Sequence, residues 1–255
     1  MDRARYLECL AADERRLRDL ASGDLAAPVP SCPDWTLADL GEHVALVYLH
    51  KAVSMRDGRP REWPPADREP APVPLLDRAY RELAAEFAAR PDAEPSWTWY
   101  EPDQTVGFWV RRMAQETVIH RIDAELAAGV PSPEVPADLA IDGIDELLVA
   151  FLAYAVDSSP EDFAGRLPAT ERLLLVGTDR RDWLVRLGPT AVTVTAADPG
   201  VAIGAGSPAP DASVRGTPDE LLRWLWRRAG DELVRIDGDA TAIRDFRLAL
   251  EAATQ

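Results

Sequence analysis

The feature that most constrains this chain is a change of apolar period near Pro160. Before it, apolar residues recur at three- and four-residue intervals over long stretches, as on helices that bury one face. After it, "RLLLVG", "DWLVRLG" and "AVTVTAAD" are short, β-branched or alternating, and separated by turn residues, the signature of strands. One period cannot serve both geometries, so the spacing predicts a helical domain over residues 1–157 and a small α+β domain with an antiparallel sheet over 158–255.

Within the first half, helices are expected at about 2–22, 36–55, 75–90, 104–128 and 139–156. Thr36 and Asp39 form a capping-box pair at the start of the second. Between the second and third helices, "RDGRPREWPPADREPAPVP" (Arg56–Pro74) carries six prolines, which forbid regular structure. A loop of that length in a compact domain is expected to be a lid or binding loop. Four helices joined in this way predict a bundle, whose ligand and metal sites lie between facing helices. In the second half, Thr217, Pro218 and Glu220 supply cap, N1 and N3 of another helix. A strand near Leu233–Ile236 and a final helix from about 240 follow, and the glycines of "DPGVAIGAGSPAPDA" predict a surface loop.

Charge excludes some functions. The net charge is −16, with Lys51 the only lysine, so a broad basic face for nucleic acid or anionic membranes is not expected. The longest apolar run, "LLVAFLAYAV" (Leu147–Val156), is half a membrane span and predicts a buried helix. Two cysteines, Cys9 and Cys32, form no disulfide framework, and the N-terminal stretch lacks the apolar core of a signal peptide; a reducing cytoplasm is the expected compartment. The absence of asparagine and the single lysine indicate a GC-rich genome.

Candidate chemistry centres on "MAQETVIHRIDAEL" (Met113–Leu126). Glu116 and His120 are four apart, one above the other on a helix face shared with Trp109 and Met113. A carboxylate facing inward needs a partner, an ion or an arginine. His43, among Leu40, Leu46 and Val47, offers a third ligand from the second helix. His50 is about 10 Å further along that helix, too far to share an ion with ligand bonds of about 2 Å. His43, Glu116 and His120 therefore make either a two-histidine, one-carboxylate site suited to zinc, or a packed hydrogen-bonded group. His50 is expected at a helix end, in contact with solvent or the last carbonyls. Asp123, one turn past His120, either orients that ligand or pairs with a surface arginine. H-E-x-x-H, P-loop, G-x-G-x-x-G and G-x-S-x-G motifs are absent.

Two motifs carry a resemblance. "CPDWTLADLGEHV" (Cys32–Val44) and "RMAQETVIHRIDAE" (Arg112–Glu125) are similar to the paired motifs C-P-G-W-[ST]-x-x-[DE]-L-x-x-H and R-x-x-x-E-x-x-x-H-R-x-D of the mycothiol-dependent maleylpyruvate isomerase family. "SVRGTPDELLRWLWRRAGD" (Ser213–Asp231) is similar to the family's helix that follows a strand. The resemblance implies a DinB-like four-helix metal-binding domain followed by a sterol-carrier-protein-like α+β domain. It also implies His43, Glu116 and His120 as ligands of a divalent metal, zinc first, with mycothiol as thiol cosubstrate. The implied activity is isomerisation of, or thiol transfer to, a small electrophile such as maleylpyruvate, and an actinobacterial source fits. A catalytic arginine is implied in the second domain. Arg228 is its best match, with Arg227 adjacent and Arg215 nearby, and the implied site lies between the domains. Asp34 departs from the family's glycine. A non-catalytic binding or regulatory protein, or a metal-dependent hydrolase, are the alternatives on the same scaffold.

Overall fold

A computed structural model describes residues 1–59, 72–199 and 208–254. The chain divides into two compact units, Met1–Pro133 and Glu134–Gln255.

The first unit consists of four helices: α1 (Arg3–Leu20), α2 (Leu37–Asp57), α3 (Pro72–Ala89) and α4 (Val106–Ala128). Each N-terminus with a described cap uses a side-chain oxygen to satisfy an otherwise unpaired amide. Asp2 caps α1, Thr36 and Asp39 form a reciprocal capping box on α2, and Thr105 caps α4. Gly129 closes α4 in the left-handed region at φ 63°, where a side chain would clash. Helix α3 begins at Pro72, three residues earlier than expected. Pro72 and Pro74 sit in its first turn, where a missing N–H costs nothing. Most of the expected Arg56–Pro74 loop, residues 60–71, lies outside the described residues. Helix α4 is enclosed: α1 and α2 both pack on it, and Trp109, Met113, Ala114, Val118 and Ile122 are fully buried.

The second unit opens with a long helix: α5 (Ala137–Glu146), π-helical turns over Leu147–Tyr154 and a short α6 (Ala155–Ser158). The boundary expected at 157/158 therefore differs from the division by compactness. The cause is the apolar run itself. Leu147, Leu148 and Leu152 are fully buried, and this helix packs on α7 (Pro218–Leu225), α8 (Ala240–Ala253) and β3 (Val192–Ala197), all of the second unit. The sheet comprises β1 (Arg172–Gly177), β2 (Asp182–Leu187), β3 (Val192–Ala197), β4 (Ala212–Arg215) and β5 (Arg235–Gly238), ordered β3-β2-β1-β4-β5. It is mixed rather than antiparallel: β1 and β4 run parallel with Leu174 opposite Ala212, while the other neighbours are antiparallel. Residues 200–207 of the expected glycine-rich loop lie outside the described residues. Helix α7 (Pro218–Leu225) starts with the expected capping box of Thr217 and Glu220, and α8 (Ala240–Ala253) packs on β1 and β4. Trp183 on β2 is fully buried and satisfies its indole N–H by donating to Asp145 at 3.1 Å. No helix among the described residues is long and apolar enough to cross a membrane.

Candidate metal centre

Helices α2 and α4 bring His43, Glu116 and His120 together. One ligand atom from each lies within 4.8 Å of the others. His43 Nε2 is 3.4 Å and His120 Nε2 is 3.3 Å from the same Glu116 oxygen, Oε1. A tetrahedral centre with bonds of about 2.1 Å separates its ligand atoms by about 3.4 Å. Each imidazole nitrogen therefore already stands at about that spacing from the carboxylate oxygen, all three atoms lie within 4.8 Å of one another, and their nitrogen and oxygen chemistry suits a zinc-like ion.

The surroundings lock this arrangement. His120 Nδ1 is 2.9 Å from Asp123 Oδ2, which leaves Nε2 facing Glu116. Asp123 is fully buried, and its other oxygen accepts a hydrogen bond from Ser31. Buried there, it is placed to orient a candidate ligand rather than to sit on the surface. Arg112 Nη2 donates to Glu116 Oε2 at 2.7 Å, fixing the carboxylate so that Oε1 turns to the imidazoles. Trp35 packs on His43 with ring centroids 4.8 Å apart.

The turn that carries Ser31 and Trp35 depends on Asp34, whose φ is 71°. Asp34, which stands where the motif has glycine, adopts a left-handed φ that glycine takes freely and aspartate is one of the few side chains to tolerate. Val29 N–H donates to Trp35 O and Trp35 N–H to Cys32 O, closing the turn. Cys32 Sγ lies 3.9 Å from Asp123 Oδ2, at the edge of the same network.

The electrostatics favour a cation between the imidazoles. Burial opposes ionisation of Glu116, but His120, the hydrogen bonds from both histidines and Arg112 outweigh it and hold the carboxyl well below the usual range. Burial likewise disfavours a charged His120, yet Glu116 and Asp123 together lift its pKa to about 9.

The arginines of the second unit separate by what they hold. Arg215 makes two bonds of 3.2 Å to the Asp182 carboxylate. Arg227, at φ 60°, closes α7: its N–H donates to Trp224 O and that of Arg228 to Arg223 O, the paired bonds of a Schellman motif. The Arg227 side chain reaches Thr254 Oγ1 and O, each at 3.1 Å. Arg228 Nη1 donates to the Trp226 carbonyl at 2.7 Å, its guanidinium 6.0 Å from the Trp226 ring.

His50 departs from expectation. It is half-buried within α2, its Nδ1 3.0 Å from Lys51 Nζ and its ring 6.2 Å from that of Trp97. Burial, and then Lys51, push its pKa down to about 4. Sequence reasoning passed over Ser31, Lys51 and Trp97. The one available signal was Lys51 itself, a solitary lysine eight residues past His43 and hence near the same helix face.

Fold and site thus define a two-part protein: a helical bundle carrying a His–Glu–His cluster, and an α+β unit built on a mixed sheet. Residues 7–125 match the mycothiol maleylpyruvate isomerase N-terminal domain, and residues 138–244 match the C-terminal domain of the same family. The chain belongs to the mycothiol maleylpyruvate isomerase family. The crystal structure of the mycothiol-dependent maleylpyruvate isomerase superposes with a TM-score of 0.59 at 14% identity, covering 94% of this chain and 95% of that one. A histidine-to-alanine mutant of that enzyme gives 0.61 at the same identity and coverage. At this identity the likeness establishes the shared fold. No curated protein sequence matches the chain.

Proposed function

We propose that this protein is a metal-dependent, mycothiol-dependent isomerase or thiol transferase acting on a small electrophile of the maleylpyruvate kind. The observation that carries the reading is the convergence of His43 Nε2, Glu116 Oε1 and His120 Nε2 within 4.8 Å, in a chain of this family. A divalent ion held there, zinc by its donor set, supplies Lewis acidity that makes a thiol ionise near neutral pH. The chain's own residues do the rest. Asp123 holds the Nδ1 proton of His120 so that Nε2 keeps its lone pair for the ion, and Ser31 fixes Asp123. Arg112 holds the second oxygen of Glu116. His43, Glu116 and His120 would hold such an ion and would leave room beside it for a thiol sulfur. In an isomerisation, thiolate adds to the conjugated double bond to give an enolate, the former double bond rotates as a single bond, and elimination re-forms the double bond and returns the thiolate. In a transfer the adduct is released. Arg228, the best match to the arginine that the family resemblance implies, is assigned to a substrate carboxylate.

The test is metal content and thiol-dependent turnover of the untagged protein and its His120→Ala variant. Near-stoichiometric zinc and mycothiol-dependent turnover are expected in the wild type, with both lost in the variant. A His120→Ala protein that keeps full metal and full activity overturns the reading, and turnover without any thiol replaces it with a hydrolase.

A further inference from the structure

A charge pattern that complements itself lies at the open edge of the sheet. Among the described residues β5 pairs with β4 alone. Asp239 N–H donates to Asp211 O at 2.8 Å, one position beyond the paired strands, and Gly216 N–H turns the other way, to Gly177 O after β1. Hydrogen-bonded pairs alternate along an antiparallel ladder, so Arg235 and Asp237 exchange backbone bonds with β4, while Ile236 turns its N–H and C=O to the open edge. Side chains alternate too. Ile236, opposite the buried Val214, lines a groove with Ile243 and Leu248 of α8. Arg235 and Asp237 project from the other face, their side chains 78% and 54% exposed. On that face one row of cross-strand neighbours runs Asp182 on β2, Gly177 on β1, Arg215 on β4 and Arg235 on β5. A Cβ at Gly177 would collide with both Asp182 and Arg215, and through the gap Arg215 reaches Asp182 at 3.2 Å. Arg235 therefore ends the row directly opposite a second guanidinium, an arrangement that is destabilising unless a carboxylate adjoins it. Asp237 of its own strand answers it at 2.7 Å, and the next place outward in the row is open.

We propose that β5 is a self-recognition edge, at which two copies of this chain pair antiparallel about a two-fold axis through Ile236 and join their five-stranded sheets into one. In this register the two Ile236 residues exchange N–H···O=C bonds and their side chains meet on the groove side. Arg235 stands opposite Asp237 of the second copy, and Asp237 opposite its Arg235, with Cβ atoms roughly 4.5–5.5 Å apart as for any directly opposed pair. Each row thereby gains a carboxylate beyond its terminal guanidinium. Neighbouring registers are disfavoured: an axis through Arg235 sets two guanidiniums face to face, and one through Asp237 two carboxylates. Charge on a short edge strand ordinarily discourages pairing, but opposite charges two residues apart on one face favour a copy laid in this register. The strand has four residues and each chain a net charge of −16, so the dimer is weak, with a dissociation constant on the order of 10–100 μM in about 0.15 M salt, where charges more than about 8 Å apart are largely screened.

The experiment is sedimentation equilibrium of the full chain from about 1 to 500 μM in about 0.15 M salt, a range that brackets that constant. It compares wild type, Arg235→Asp, Asp237→Arg, an equimolar mixture of those two variants, and the chain carrying both substitutions. Wild type is expected to dimerise reversibly. Each single variant meets like charge at both symmetric contacts, which weakens dimerisation at least about tenfold. In the mixture every acidic position meets a basic one, so association returns to within a few-fold of wild type, and that recovery also shows that both variants are folded. The doubly substituted chain exchanges the two charges and is expected to dimerise like wild type. A wild type that stays monomeric throughout overturns the proposal. So does a dimer that the single variants leave intact, which places the contact elsewhere, and so does a mixture or a doubly substituted chain that stays monomeric. The readout involves neither metal nor thiol, so its outcome is independent of the function proposed above.

Discussion

Asp123 gives the sharpest quantitative test of the candidate centre. It is fully buried, Oδ2 is 2.9 Å from His120 Nδ1, and Oδ1 is tied to Ser31. Asp123→Ala deletes the group that sets both the tautomer and the rotation of the His120 ring. Losing such an orienting carboxylate weakens metal binding by roughly 10- to 100-fold, or about 1.4–2.8 kcal/mol. Asp123→Asn keeps an oxygen acceptor for the Nδ1 proton but loses the charge, and a neutral bond is worth roughly half a charge-assisted one. The expected order of zinc affinity is therefore wild type, Asp123→Asn, Asp123→Ala, with Ser31→Ala close to wild type. Competition against a fluorescent zinc chelator measures this, and thermal melts of the metal-free proteins separate ligand orientation from general stability. An Asp123→Ala protein that binds zinc within about threefold of wild type refutes the reasoning, because packing alone would then orient His120.

Glu14, buried on α1, has its pKa raised to about 7 by burial, reinforced by the charge of Asp77. The native state therefore holds a proton that the unfolded chain releases, so this group's contribution is full below about 4.5 and is lost as pH rises through 7; Glu14→Gln should be more stable than wild type at pH 8, by up to about 3 kcal/mol, and flatten the pH dependence of denaturant melts. Asp34→Gly should stabilise the protein by about 0.5–1 kcal/mol, since φ 71° costs an aspartate energy that glycine avoids; an unchanged or lower melting temperature contradicts the strain. Arg227→Gly keeps the Schellman closure of α7 and should retain kcat/KM within a few-fold, whereas Arg228→Met should raise KM for a carboxylate substrate about tenfold or more; the reverse pattern assigns the role to Arg227.

What was legible in the sequence follows from how local each cause is. Helix starts were legible because capping is decided within four residues: Thr36 with Asp39, and Thr217 with Glu220, needed no tertiary partner. The strands β1, β2 and β3 showed their period because each is six residues long. The parallel pairing of β1 with β4 was not legible. Strand β4 has only four residues, and its partner is nearly forty positions away, so neither alternation nor turn chemistry specifies it. The unit boundary was obscured for a related reason. A run that is apolar all round, such as Leu147–Val156, states that much of it is covered but not by which neighbours.

The site shows the same distinction within one helix. In "HRID", His120 turns to Glu116 and His43, while Arg121 makes ion pairs with Asp13 on α1 at 3.0 Å and with Glu125 at 2.8 Å. Asp123 turns back to hold His120 and takes Ser31 from the loop before α2. Adjacent positions on a helix diverge by about 100°, so neighbouring letters of the motif serve different contacts. One aligns the candidate ligand, and another joins α4 to α1 through Arg121 and the buried Glu125, which Arg16 also reaches at 3.0 Å. The four-residue spacing of Glu116 and His120 could place two donors on one face. It could not say whether a third donor, and a hydroxyl to fix the orienting Asp123, would be delivered by other segments. Those come from His43 on α2 and from Ser31 in its approach loop, and their meeting with α4 is a property of how α2 packs against it. Loosening that packing should therefore disperse the donors, which makes the α2–α4 contact part of the site rather than its support.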